Sequence, residues 1–179
     1  MTIDHWCRVV MNRATQGLIR TLGPSRLDVL EVSGTEWADF GFSSYRSLHW
    51  PQFDICKDVL AASFDLIIAE QVFEHLRYPI QAARNVRRML NGGGTVLITT
   101  PFLIKIHPMP GDFWRWTPSG LAALLEDAGF VGITVGSWGN RSCVIGNFDE
   151  WPAFHPDEHS LADEPDVPLV VWATARRAN

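Results

Sequence analysis

Two apolar runs restrict the fold of this chain more than any other feature. Residues 64–70 read FDLIIAE and residues 95–100 read TVLITT, so neither run alternates regularly between apolar and polar positions. Strands that are covered on both faces, as in a parallel sheet, have this composition. Between the runs, residues 79–90 form a helical pattern that begins with proline and is followed by Asn91 and Gly92. An α/β fold with a mostly parallel sheet is therefore predicted.

Periodicity and capping signals place the other elements. The clearest is a helix over 117–128, where Thr117 can cap the N-terminus, Pro118 can occupy the first turn, and leucines recur at helical spacing. A further helix is predicted over 4–22, before a Gly-Pro pair. Right-handed crossovers would place helices on both faces of the sheet. The remaining predicted strands are 26–34, 45–49, 130–137 and 169–175, of which the last is antiparallel.

Length and composition indicate one domain over residues 1–179. The chain is 46% hydrophobic and 20% charged, which is typical of globular proteins and not of disordered ones. No apolar run approaches the roughly 20 residues that span a bilayer, and the N-terminus lacks the apolar core of a signal peptide. The three cysteines are far apart and never form CxxC, which favours reduced thiols. We therefore expect a cytoplasmic protein without a membrane partner.

One segment, residues 141–166, differs in composition from the rest of the chain. It holds seven acidic residues against one arginine, and three prolines interrupt it. We predict a long acidic loop between the last two strands, either a functional loop or a solvated and partly disordered one. The net charge of the chain is −5, which argues against a nucleic-acid partner, since such a partner calls for a basic face.

Several motifs, in this order and spacing, resemble the class I methyltransferases that depend on S-adenosylmethionine (SAM), and in particular their small-molecule branch. The motifs are FDLIIAEQVFEHL, a helix ending in MLNGGG, TVLITTPF, and later HPMPGDFWRWTPSGLAALLEDAGF. The resemblance covers residues 27–139 and implies a Rossmann-like, doubly wound sheet. Too few residues separate the second strand from residue 64 for a usual helix and strand, so the second crossover is trimmed. The resemblance further implies SAM as the cofactor and methyl transfer as the activity.

The resemblance also assigns residues to the cofactor. Glu31, at the end of the first strand, matches the acid that holds the amino-acid end of SAM through its neighbourhood. Ser33 and Gly34 match the tight turn over which the cofactor lies. The usual GxGxG pattern of this turn is reduced here to a single glycine, which still allows the backbone one positive φ.

Further cofactor residues follow the later strands. Asp58 matches the acid that bonds the adenine amino group, although an acid at this place is also a good helix cap. Glu70 and Gln71 match the strand end beside the methionine part of SAM. The acid that normally grips the ribose is missing after the second strand, where His49 or Asp54 could replace it.

The loop over 102–116 is predicted to be the acceptor side of the site, because it leaves the same sheet edge as the cofactor residues. His107 and then His75 are the candidate bases for a hydroxyl acceptor, whereas an amine acceptor needs only a positioning group. Structural roles for both histidines stay open, as does a loop-ordering ion pair between the acid and the arginine of this loop. The candidate substrate residues are Phe102, Asp112, Trp114 and Arg115.

No metal site is predicted. His155 and His159 have helical spacing, but Pro156 disfavours a helix and no third ligand is apparent. Enclosure of the acceptor would fall to the N-terminal helix, the loop over 102–116, the acidic loop, or a second subunit of a homo-oligomer.

The function predicted is transfer of a methyl group from SAM to a hydroxyl or amine of a small molecule, such as a sugar or a natural-product-like metabolite. A non-catalytic methyltransferase-like binding or scaffolding subunit is the alternative, since the glycine loop is reduced and the ribose acid is absent. An enzyme using nicotinamide would need GxGxxG after the first strand, and the sequence has none.

Overall fold

A six-stranded sheet forms the centre of the computed structural model, which describes residues 4–179. The strands lie in the order β2-β1-β3-β4-β6-β5. Neighbours from β2 to β4 are parallel, whereas β6 runs antiparallel to both β4 and β5. The predicted α/β fold, with a mostly parallel sheet and an antiparallel last strand, is confirmed. The strands are β1 (Asp28–Val32), β2 (Ser44–Leu48), β3 (Phe64–Glu70), β4 (Leu90–Pro101), β5 (Val131–Trp138) and β6 (Val170–Arg176).

Helices cover both faces of this sheet. The second and third helices pack on one face, where their buried side chains join the largest apolar cluster. The first and fourth pack on the other face. Strand β6 serves both clusters, because Val171 points into the first and Trp172 into the second. The helices are α1 (Val9–Thr21), α2 (Pro79–Met89), α3 (Pro118–Asp127) and α4 (Arg141–Asp149). Between residues 4 and 179, no helix is long and apolar enough to cross a bilayer.

The third helix forms where its capping signals place it. The Thr117 hydroxyl accepts a hydrogen bond from the Gly120 amide at 3.0 Å, and Pro118 occupies the first turn. Leu121 and Leu125, one turn apart, are fully buried against the sheet. The chain therefore leaves the loop over 102–116 in a defined direction.

Short connections join the first strands. Residues 33–43 and 49–63, which precede and follow β2, form turns and contain neither a helix nor a strand. The predicted trimming of the second crossover is thus confirmed, and the first connection is shorter still. Phe53 and Ile55 are buried in the core, so the second connection folds against the sheet. These turns leave the carboxyl edge of the sheet open to a ligand.

The structure corrects the prediction of a loop over 141–166, because this segment begins with helix α4. The Asn140 side chain caps it by accepting from the Cys143 amide at 2.8 Å, and Cys143 and Asn147 are buried one turn apart. With only these two buried positions, the helix has too weak a hydrophobic periodicity to be recognised in the acidic segment. The rest of the segment, residues 150–166, is a loop without buried residues, as the solvated interpretation predicts, but it is anchored: Trp6 donates to the carbonyl oxygens of Pro152 and Ser160, each at 2.9 Å.

Candidate active site

A cavity of about 460 Å³ opens at the carboxyl ends of β1, β2 and β3. We call it the edge cavity. In open α/β sheets, ligands bind outside the carboxyl ends of the strands, near the point where strand order reverses. Here β1 lies between β2 and β3, so the cavity occupies this position. Its lining includes Val32, Ser33, Trp50, Phe53, Asp54, Lys57, Gln71, His75, Tyr78 and Phe113.

Glu31 shapes the loop beside the edge cavity but does not line the cavity. Its buried carboxylate accepts hydrogen bonds from the amides of Glu36 and Trp37, both at 3.1 Å, and from the Tyr45 hydroxyl at 2.5 Å. A Cβ atom at Gly34 would collide with this carboxylate. Burial, together with the Glu31 charge, raises the pKa of Tyr45 well above its ordinary value, so its hydroxyl remains a donor. A side chain at position 34 would therefore displace the Glu31 carboxylate from these donors.

Ser33 supplies the turn that glycine usually supplies. Its φ is +60°, in the left-handed region, and its amide donates to the Leu48 carbonyl oxygen at 2.8 Å. This bond ties the loop after β1 to the end of β2. Ser33, a predicted cofactor residue, lines the edge cavity, and the reduced glycine pattern still yields a tight turn.

The two acids of the second connection, Asp54 and Asp58, differ in whether they line the edge cavity. The exposed Asp58 accepts a hydrogen bond from the Asp54 amide at 2.7 Å and lies outside the residues that line the edge cavity. Asp54 lines the cavity and pairs with Lys57 Nζ at 2.7 Å, which lowers the pKa of Asp54. His49 is exposed, bonds Ser47, and does not line the cavity either. Of the three polar candidates, the structure therefore brings only Asp54 to the cavity.

A second cavity of about 420 Å³ adjoins the first. We call it the side cavity. It is enclosed by the N-terminal segment (residues 5–8), the turn after β3, the loop over 102–116 and Trp151. Gln71 and His75 line both cavities, so the two meet at these side chains. The other residues that line the side cavity are His5, Cys7, Arg8, Glu74, Ile104, His107, Trp151 and Val170.

The residues at the end of β3 hold this junction in place. Gln71 has a φ of +53°, and both its amide and its side chain donate to Thr99, at 2.9 Å and 3.1 Å. Glu70 does not line either cavity, because it accepts from Trp37 Nε1 at 2.9 Å and faces Arg8 Nη1 at 3.4 Å. Burial raises the pKa of Glu70. Gln71 is thus the polar side chain that this strand end presents to a ligand.

Two histidines and a buried acid form one wall of the side cavity. His75 Nε2 lies 3.5 Å from Glu74 Oε1, and His107 Nε2 lies 3.8 Å from the same oxygen. The imidazole rings meet edge to face, with centroids 5.0 Å apart. The facing Glu74 carboxylate raises the pKa of His107. Both predicted catalytic histidines therefore present Nε2 to the same carboxylate.

The predicted substrate residues Asp112 and Arg115 order their own loop. Arg115 Nη2 donates to Asp112 Oδ2 at 2.7 Å, and its guanidinium also donates to the carbonyl oxygens of Ile104 and Lys105. Asp112 accepts from the His107 amide at 2.9 Å. Its bond with Arg115 lowers the pKa of Asp112 to about 2. Neither side chain lines the edge cavity or the side cavity, and the two form the loop-ordering ion pair that the sequence left open; their binding of substrate stays a prediction.

Phe102 and Trp114 likewise do not line either cavity. Phe102 packs against the main apolar cluster. Trp114 donates from Nε1 to the Leu76 carbonyl oxygen at 2.7 Å and stacks on Trp116, with ring centroids 5.6 Å apart. The loop over 102–116 contributes to the side cavity through Ile104 and His107 instead.

Several lining residues had no assigned role in the sequence-based prediction. Arg8 and Trp151 come from the N-terminal segment and the acidic segment, which the sequence named only as enclosing elements. Glu74 lies within the EQVFEHL motif but received no role. Trp50 and Lys57 carry no sequence signal that separates them from surface residues. Only folding brings these positions to the cavities.

Comparison with known proteins points to one family. The family described as a methyltransferase domain matches residues 14–96. A probable S-adenosylmethionine-dependent methyltransferase of Mycobacterium tuberculosis is 27% identical over 117 residues, which cover 59% of this chain and 42% of that protein. The chain thus matches less than half the length of this curated relative.

Solved structures share the fold at low sequence identity. Phosphoethanolamine N-methyltransferase 2 of Haemonchus contortus superposes with a TM-score of 0.61 at 14% identity, over 94% of this chain and 53% of that chain. A SAM-dependent methyltransferase of Mesorhizobium loti superposes with a TM-score of 0.58 at 16% identity, over 90% and 96% of the two chains. Sheet order and these superpositions show that the chain has the fold of the class I SAM-dependent methyltransferases, and its residues 14–96 are similar to a methyltransferase domain.

Proposed function

We propose that the chain binds SAM in the edge cavity and transfers its methyl group to a hydroxyl or amine of a small molecule in the side cavity. The observation that carries this proposal is the contact of the two cavities at Gln71 and His75. Methyl transfer needs the acceptor atom in line with the sulfonium methyl group, so cofactor and acceptor must occupy adjoining spaces. A non-catalytic subunit that only binds SAM does not need a second cavity next to the cofactor.

The edge cavity suits the cofactor in shape and chemistry. The turn at Ser33 lies at its base, Asp54 offers a carboxylate to ribose or adenine donors, and Phe53 adds an apolar wall. Trp50 and Phe113 also line it, and aromatic faces near a sulfonium cation are stabilising by roughly 0.5–2 kcal/mol. Volumes of this order, with few polar groups among apolar walls, are typical of small-molecule sites.

The side cavity suits a small hydroxylated or amine acceptor. His75 and His107 present nitrogen atoms to it, Arg8 adds a cationic donor, and Trp151 adds a flat apolar surface. A hydroxyl acceptor loses a proton as the methyl group arrives, and a histidine nitrogen can accept that proton near neutral pH. Sugars and natural-product-like metabolites combine hydroxyl groups with apolar faces, and they are the acceptor class we propose.

The geometry favours this enzyme over a non-catalytic scaffolding subunit. The scaffolding alternative rested on the reduced glycine loop and the missing ribose acid. Ser33 nevertheless adopts the left-handed turn, and Asp54 supplies the edge cavity with a carboxylate that could take the place of the ribose acid. The proposal places the reaction in the cytoplasm, in keeping with three free cysteines in the described chain.

Two measurements test the proposal in sequence. Calorimetry with S-adenosylhomocysteine (SAH) should give a micromolar dissociation constant, equivalent to about −8 kcal/mol. Radiolabelled SAM, offered with panels of hydroxylated and amine small molecules, should then label members of one panel. Absence of SAH binding at millimolar concentration would refute the proposal, and binding without transfer to any small molecule would favour the scaffolding subunit.

A further inference from the structure

The buried carboxylate of Glu74 is the least satisfied polar group beside the side cavity. Glu74 lies on the single turn Phe73–His75 after β3, and its side chain is 0% exposed. Neither carboxylate oxygen accepts a hydrogen bond from any residue in the described range 4–179. A buried charge without a partner is costly to fold, and such groups are normally paired or bound to a metal ion.

The two neighbouring histidines cannot satisfy this carboxylate as neutral side chains. His75 Nδ1 bonds the Gly111 carbonyl oxygen, which only accepts, so Nδ1 carries the proton. His107 Nδ1 lies 3.4 Å from the Lys105 carbonyl oxygen and 3.4 Å from Asp112 Oδ2, which assigns its proton in the same way. When both rings are neutral, each Nε2 atom is therefore an unprotonated nitrogen that faces the Glu74 oxygen.

Three lone pairs thus converge without a donor among them. Ligand atoms of Glu74, His75 and His107 lie within 4.8 Å of one another. We propose that these three residues form a binding site for a divalent transition-metal ion such as Zn²⁺, open towards the side cavity. Two imidazoles and one carboxylate are a donor set that such ions accept.

The surroundings of the cluster fit a metal site. Metal-binding histidines typically donate their other ring nitrogen to a carbonyl or carboxylate, which fixes the ring and the tautomer. His75 does so to Gly111, and His107 lies against Lys105 and Asp112 in the same manner. Arg115 in turn holds Asp112. The ion pair that orders the loop therefore also orients a ligand.

The inference rests on the proposed function, narrows its acceptor to a hydroxyl compound, and makes the two histidines metal ligands in place of proton acceptors. Three protein ligands leave a coordination position that faces the side cavity, and a bound cation lowers the pKa of a hydroxyl placed there. The hydroxyl proton leaves to solvent and the oxygen forms a bond to the methyl carbon. The carbon–sulfur bond breaks, and its electron pair stays on sulfur, so the products are the methyl ether, SAH and a proton.

Metal binding is tested on the full chain after treatment with a chelator. Calorimetry with Zn²⁺ should show one equivalent bound at micromolar concentration or below, and Co²⁺ should give visible absorption bands of a low-coordinate site. Bound Zn²⁺ should also raise the melting temperature. Glu74→Gln and His107→Ala should each weaken Zn²⁺ binding at least about tenfold. His155→Ala, which removes an exposed histidine outside the cluster, should leave it unchanged.

The outcomes separate this inference from the proposed function. Failure of the wild-type chain to bind one equivalent of Zn²⁺ or Co²⁺ overturns the metal site whether or not the variants fold. Equal loss of affinity in His155→Ala overturns it as well, because binding would then be non-specific. If SAH binds and methyl transfer proceeds in the metal-free chain, the proposed function stands and the metal does not. If the wild-type chain does not bind SAH, the proposed function itself is wrong.

Discussion

The Cβ atom of Ser33 sits on a backbone conformation that glycine adopts more readily. With φ at +60°, an ordinary L-residue carries a cost of roughly 1–2 kcal/mol relative to its preferred regions. The amide of Ser33 is held by Leu48, which fixes the turn against the end of β2. Strain of this kind persists only where surrounding contacts enforce it, and it concentrates at functional sites.

Ser33→Gly should therefore stabilise the chain. We expect the free energy of unfolding to rise by about 0.5–1 kcal/mol, because relief of the strain exceeds the extra chain entropy that glycine loses. Urea denaturation measures this change, and calorimetry with SAH should show affinity within about twofold of wild type. Ser33→Ala keeps a Cβ atom and should give no gain. A gain of the same size in the alanine variant would show that the hydroxyl, and not φ, is responsible.

Asp54 and Asp58 form a matched pair for testing the cofactor site. Asp54→Asn removes the charge from the edge cavity, and we expect SAH affinity to fall about tenfold, or 1.4 kcal/mol. Asp58→Asn keeps a carbonyl that can still accept from the Asp54 amide, so affinity should stay within about twofold. Calorimetry on both variants decides. A larger loss for Asp58→Asn would restore the residue that the sequence assigned to adenine.

Which of these acids points inward could not be read from the sequence. Both lie in FDICKD, four positions apart, and each has a plausible role by type alone. The choice depends on Phe53 and Ile55, whose burial orients the turn so that Asp54 lines the cavity. Burial of these two side chains is a tertiary effect, and no local pattern announces it.

At the scale of elements, strong local signals were sufficient and weak ones were not. Strand β3 has the bounds that the sequence predicted, because a continuous apolar run begins at Phe64 and ends at Glu70. Helix α4 was missed, since its buried face consists of Cys143 and Asn147 alone. Its cap residue, Asn140, was a usable signal that the surrounding acidic residues obscured.

The two capped helices allow a comparison of cap energies. Thr117→Ala removes only the cap of α3 and should lower the free energy of unfolding by about 1 kcal/mol. Asn140→Ala removes the cap of α4 together with two side-chain bonds, to the carbonyl oxygens of Ser160 and Ala162. Its cost should reach about 2–4 kcal/mol, since the site is buried and two acceptors lose their donor. Chemical denaturation of both variants checks the difference, and equal costs would mean that the segment around 160 is not anchored through Asn140.

At the scale of the whole molecule, the sequence predicted the sheet edge but not the second cavity. Topology places the ends of β1 and β3 side by side, so Ser33 and Gln71 could be expected to meet. No local sequence pattern indicates that Arg8 and Trp151 line the side cavity. Arg8 and Trp151 come together only because the N-terminal segment packs against the acidic segment. The contact between Glu74 and His107 likewise forms only in the complete fold. The single-domain organisation over 1–179 stays a proposal.

The three cysteines report on this arrangement. Burial raises the pKa of Cys7 to about 11 and of Cys143 to about 12, and both side chains are at most 1% exposed. Burial also raises the pKa of Cys56, but this thiol is only partly buried and lines the edge cavity. Because the thiolate is the reactive form, Cys56 should be alkylated first at pH 8 in the folded chain. The other two should react only when the chain unfolds.

SAH should protect Cys56 if it occupies the edge cavity. At ten times its dissociation constant, SAH leaves about one molecule in eleven free, so the alkylation rate of Cys56 should fall about tenfold. Mass spectrometry of peptides after timed treatment with iodoacetamide measures this rate. At the same SAH concentration, Asp54→Asn should show weaker protection in proportion to its loss of affinity, whereas Asp58→Asn should match the wild type. If calorimetry shows SAH bound and Cys56 still reacts at its free rate, the assignment of the cofactor to the edge cavity is wrong.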